Sequence, residues 1–77
     1  MKREDIITGE EIEINVRRNA SPYEIRQEII RESAQNWLKR AENGKIDKVT
    51  QLKNIKMFEK MAERHGLQKE LREMGVI

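Results

Sequence analysis

Ser21–Gly44, SPYEIRQEIIRESAQNWLKRAENG, is the stretch whose reading decides the fold, because it holds a helix start, a helix stop and an apolar face between them. The Ser21 hydroxyl is placed to accept a bond from an orphaned first-turn amide. Pro22 at the first helical position sacrifices no helical hydrogen bond. Glu24, three residues after the serine, is placed to return a bond to the Ser21 amide and complete a capping box. Glu24 and Glu28 lie near the positive end of the helix dipole, and Lys39 and Arg40 near the negative end. Asn43-Gly44 supplies a left-handed exit. The pattern predicts one helix over residues 21–43.

At 100° per residue, Tyr23, Ile30, Ala34, Trp37 and Ala41 form one stripe, which Ile25, Ile29 and Leu38 widen. So broad an arc predicts burial against more than one neighbour. Ala34 and Ala41 would let another backbone approach closely, and Trp37 is expected in the core between this helix and the next. The acidic row Glu24, Glu28 and Glu32 is expected to be a solvated face.

On either side of this helix the chain is less regular. Met1–Asp5 is charged and reads as frayed. Ile6-Ile7 precedes Thr8-Gly9-Glu10-Glu11, a four-residue turn pattern, and Ile12, Ile14 and Val16 then alternate with polar residues at the period of a half-buried strand. Residues 1–20 are therefore a strand-forming lead-in. It is either a hairpin with Ile6-Ile7 as its first arm or a single strand that pairs with another chain. An isolated two-stranded ribbon is barely stable, so its apolar side must rest on a helix or a partner.

Beyond Gly44, Asp47 is an N-cap for a second helix over 47–65. Val49 and Leu52 lie on one side of it, while Ile55, Met57, Phe58, Met61 and Ala62 spread over another. Two neighbours, or a bend near Asn54, would each account for that spread. Gly66 stops this helix, Leu67, Leu71 and Met74 mark a short third helix over 67–74, and Gly75 ends it. Val76-Ile77 reads as an apolar tail. The expected fold is mainly α: a hairpin or single strand, a long helix, a second antiparallel helix and a short C-terminal one, in one domain spanning 1–77.

Composition bounds the rest. The 77 residues are 36% apolar and 39% charged, close to the size at which one core is barely sufficient. Self-association or a protein partner would supply missing buried area. With no cysteine, neither a disulfide framework nor a thiolate zinc site can form. No apolar run exceeds three residues, so neither a transmembrane helix nor a secretory signal is expected, and the expected location is the cytoplasm. Residues 1–38 carry six bases and eight acids, whereas residues 39–77 carry ten bases and six acids. That asymmetry permits an acidic partner for the second half.

No catalytic, cofactor or metal site is legible: there is one histidine, no Gly-rich phosphate loop and no Ser-His-Asp set. His65 reads as a capping or half-buried side chain in the last turn of the second helix. The candidate partner-binding residues are Lys53, Lys56, Lys60 and Arg64, spaced along one face of that helix, with Met57 and Met61 as an adaptable apolar surface. Lys45 and Lys48 lie just upstream, while Glu59 and Glu63 border the row. The segment Met61-Ala62…His65-Gly66-Leu67 resembles a helix-turn-helix, but His65 replaces an expected apolar residue, Arg72 falls where burial is required, and Leu71 is one position off. The strand Ile12-x-Ile14-x-Val16 before a helix is similar to a ribbon-helix-helix, but one uninterrupted helix follows it here. Neither family is claimed. The function expected is a small non-enzymatic interaction protein, an accessory, adaptor or inhibitor of the kind common in phages and mobile elements. The alternative is a small DNA-binding regulator that uses the basic row.

Overall fold

A computed structural model describes residues 1–44 and 46–77. Strands β1 (Lys2–Glu4) and β2 (Glu11–Glu13) form an antiparallel hairpin, followed by α1 (Pro22–Glu42), α2 (Lys48–His65) and α3 (Gln68–Met74). The register pairs Lys2 with Glu13, Arg3 with Ile12 and Glu4 with Glu11. The mainly α architecture expected from the sequence is the one observed.

The hairpin is built differently from its sequence pattern. Its first arm is Lys2–Glu4, within the segment expected to fray, and Ile6-Ile7 lies in the turn instead. Asp5 decides this: its Oδ1 accepts from the Ile7 amide at 2.7 Å and the Thr8 amide at 3.2 Å, starting the turn before the isoleucines. The Asp5 amide donates to the Glu10 carbonyl at 2.8 Å and closes the loop. Two polar tethers then seat that loop on α1, where the Ile6 amide donates to Ser33 Oγ at 3.1 Å and Asn36 Nδ2 to Asp5 Oδ2 at 3.4 Å. Ile6 and Ile7 still pack against the core, but they arrive there from a turn. Ile12 and Ile14 are buried as their alternation requires, and Val16 is half-buried.

Helix α1 starts as its cap chemistry dictates, with Ser21 Oγ accepting from the Glu24 amide at 3.2 Å. The Glu24 carboxylate does not turn back to complete the capping box. It binds the Arg17 guanidinium through both oxygens, a stronger charge-assisted contact than a neutral amide offers. The acidic row is accordingly no free solvated face. Glu24, Glu28 and Glu32 are all half-buried, and Glu28 pairs with Arg31.

Helices α1 and α2 pack antiparallel, since Tyr23 near the start of α1 meets His65 at the end of α2, and Trp37 in the last third of α1 meets Phe58 near the middle of α2. The core is Ile30, Ala34 and Trp37 from α1, Phe58 and Ala62 from α2, and Leu67, Leu71 and Val76 from the C-terminal segment. Trp37 is only 3% exposed, with its ring 6.5 Å from that of Phe58 and the Arg40 guanidinium 6.0 Å from its centroid. Tyr23, expected on the buried stripe, is 48% exposed, because α1 begins beyond the reach of the core. Val49 and Leu52 are 77% and 61% exposed because the rotation of α2 that buries Phe58 and Ala62 turns them outward.

Two left-handed glycines close the C-terminal half. Gly66 (φ 65°) lets the Leu67 amide reach the Ala62 carbonyl at 2.9 Å, and Gly75 (φ 86°) lets the Val76 amide reach that of Leu71 at 2.9 Å. Each closure turns the next apolar residue inward, as Schellman motifs do. Val76 is therefore core at 3% exposure, and Ile77 packs beside it; the apolar tail expected at Val76-Ile77 does not exist. Arg31 ties α3 back to α1 through a bidentate contact with Glu70 at 2.7 and 2.9 Å.

Trp37→Ala should lower stability by about 3–5 kcal/mol, the usual range for an emptied aromatic core site, measured as a reduced urea midpoint. A second expectation concerns pH. Arg31 holds the Glu70 carboxyl below its ordinary value of 4.5, so the stability this pair contributes is complete above that value. It is lost as pH falls through the depressed folded value. Because Glu70 is about half exposed, salt should weaken the effect. On acidification below pH 4.5 the wild type should lose more melting temperature than Glu70→Gln, and added salt should narrow the difference.

Candidate interaction surface

The residues selected from sequence separate into two groups. Lys53, Lys56 and Lys60 are exposed along the outer face of α2, with Lys48 also exposed at its start. Burial of Phe58 and Ala62 on the opposite side fixes this rotation of the helix. Among the described residues none of these lysines forms an ion pair, although exposed Glu59 and Glu63 flank the row. Lys45 lies outside the described residues. Met57 is 39% exposed, whereas Met61 and Met74 are half-buried against the core, so the methionines do not form one continuous surface.

Met61 belongs to a different place, and Arg64, which lies beside Lys60 and Glu63 at the end of the row, borders it too. They face a cleft between the start of α1 and the end of α2. Its deeper part, about 210 Å³, is lined by Ile6, Arg26, Ile29, Ile30, Met61 and His65. A shallower hollow of about 440 Å³ shares Arg26, Met61 and His65 and adds Tyr23 and Arg64. The floor is aliphatic and thioether, and among the described residues the only formally charged side chains lining either part are the two arginines.

The cleft wall is held in place by several contacts. The Tyr23 ring stacks on the His65 imidazole with centroids 5.6 Å apart and planes 26° apart. His65 Nδ1 lies 3.1 Å from the Met61 carbonyl, and Gln27 Nε2 donates to the His65 carbonyl at 2.7 Å. A carbonyl only accepts, so Nδ1 carries the proton. Gly66 lies beneath, where an added Cβ would come within van der Waals contact of the Tyr23 hydroxyl at 3.4 Å. Arg26 and Arg64 are exposed on the rim, and neither forms an ion pair among the described residues.

Elsewhere most of the polar chemistry is already satisfied, although Arg40 Nη2 is buried without a hydrogen-bond partner. A hollow of about 200 Å³ holds Arg17, Glu24, Glu28 and Arg31, but both guanidinium groups are bound by carboxylates. Asp5 and Ser33, the buried polar pair, are both used in seating the hairpin. Among the described residues no group of three potential metal ligands comes together. Also among them, no helix is long and apolar enough to cross a membrane. Helix α3 is seven residues long, with Leu71 buried and Arg72 exposed. β2 pairs within its own chain and leads into one unbroken helix.

Sequence reasoning picked Met61 and Arg64 from one wall of the cleft and missed Ile6, Tyr23, Arg26 and Ile29 on the other. Tyr23, Arg26, Ile29 and Ile30 do recur on one face of α1, which is a legible signal. Their meeting with Met61 and His65 depends on how far the helices are offset, which no local pattern reports. Comparison with protein-family models, with curated proteins and with solved structures finds no match for the chain.

Proposed function

We propose that this protein is a non-enzymatic interaction module, an accessory, adaptor or inhibitor that works by binding another macromolecule. The observation that carries this reading is a folded surface rich in uncommitted binding groups. Lys53, Lys56, Lys60 and Arg64 are exposed and unpaired among the described residues, and Val49, Leu52 and Met57 are large apolar side chains left 77%, 61% and 39% exposed on the same helix. Contiguous exposed apolar patches rimmed by polar residues mark surfaces that meet a partner, and Val49 and Leu52 adjoin one turn apart on α2. The buried polar side chains Asp5 and Ser33 both serve the fold. Self-association is a second way to cover the same apolar groups.

The competing reading is a DNA-binding regulator, favoured by the spacing of the basic row along one face. Each phosphate contact releases counterions, so affinity for duplex DNA would fall by about 0.9 log units per log unit of salt per contact. Four contacts would give a slope of about 3 to 4. With the lysines serving protein contacts instead, duplex DNA should show no binding at physiological salt in a fluorescence anisotropy titration. The double variant Lys56→Glu/Lys60→Glu should keep its melting temperature, because both side chains are solvated. A tight, salt-steep DNA complex abolished by that variant would establish the regulator reading.

A further inference from the structure

We infer that the cleft between the start of α1 and the end of α2 is a docking site for an acidic protein segment bearing one apolar anchor residue. This deepens the interaction-module reading and rests on it, while placing the contact away from the lysine row. The deep part is floored by Ile6, Ile29, Ile30 and Met61 and measures about 210 Å³. That is below the roughly 300–1,000 Å³ of sites for drug-sized ligands. It suits one inserted side chain from a larger partner.

The rim fixes the charge of what enters. Arg26 and Arg64 stand on opposite helices, line the same hollow, and among the described residues meet no carboxylate lining either part of it, although Glu63 lies beside Arg64 in the adjoining hollow. The contrast with Arg17 and Arg31 is direct, since those two arginines line the polar hollow already bound by Glu24, Glu28 and Glu70. A guanidinium engages a carboxylate bidentately and prefers planar acidic partners. Arginine and tyrosine beside an apolar pocket are the residues in which binding energy concentrates. The Tyr23–His65 stack is already anchored by the Met61 carbonyl and by Gln27, so this wall is ordered before anything binds. Pre-ordered walls reduce the entropy lost on association.

A nucleic acid fits this cleft poorly. Its phosphates would suit the arginines, but an aliphatic and thioether floor offers no base-edge partner, and protein–DNA interfaces are more polar than this one. One face of the Tyr23 ring is already taken by the imidazole that stacks on it.

The test is selection of a displayed library of random twelve-residue peptides on the intact immobilised chain, followed by titration of the enriched peptides against variants. Enriched peptides should carry one aliphatic or aromatic residue flanked by at least two carboxylates. Arg26→Glu and Arg64→Glu should each weaken them at least tenfold without changing the melting temperature, since both side chains are exposed. Replacing the peptide's apolar residue by serine should weaken binding as much. Amide shift changes on binding should centre on Ile29, Met61 and His65. Selection of no peptide, or of peptides lacking either the anchor or the acids, overturns the inference. Acidic peptides that tolerate Arg26→Glu and Arg64→Glu but are lost on Lys53→Glu/Lys56→Glu also overturn it, while leaving an interaction module that works through the outer face of α2.

Discussion

The seam between α1 and α2 is the contact on which the rest of the molecule depends. Ala34 and Ala62 are fully buried there and let the helix backbones approach, while Trp37 and Phe58 fill the space alongside. Close packing of this kind leaves little freedom of rotation, because a turned helix would expose the aromatic residue and bury a charge. With Phe58 and Ala62 inward, the lysines of α2 have only the solvent side. The same rotation brings Met61 and His65 to the edge of the seam, where the cleft opens.

So short a chain has little apolar area to spare, and it adds devices at both ends. At the N-terminus, Asp5, Ser33 and Asn36 lock a turn onto α1 by hydrogen bonds, and the turn's isoleucines cover the core. At the C-terminus, two Schellman closures feed Leu67 and Val76 into the same core, and Arg31 clips α3 to α1 through Glu70. Buried polar groups satisfied in this way lose little to desolvation. They also dictate direction, which apolar contacts alone do not.

Two surfaces with different chemistry result. The outer face of α2 is a row of solvated lysines with an apolar pair at its start. The cleft is a small apolar socket with an arginine on each side. Long lysines on an open face give attraction without shape. A socket walled by Tyr23 and His65 adds shape, and shape is what separates one acidic partner from another.

The sequence by itself determined the helices and their caps. Ser21, Asp47, Gly66 and Gly75 act within one or two turns of themselves, so their effect is written locally, and the three-helix order and the burial of Trp37 follow. Tertiary structure decided what depends on residues far apart. Ile6-Ile7 became a turn because Asp5 binds the amides that follow it and Ser33 and Asn36 receive the loop. Val76 became core because Gly75 aims it at residues contributed by two other helices. Glu24 gave up the capping box because folding brought Arg17 within reach. The cleft is the clearest case: Ile6, Arg26, Ile29 and Met61 are separated in the chain by up to dozens of positions, and only the antiparallel offset of α1 and α2 makes them neighbours.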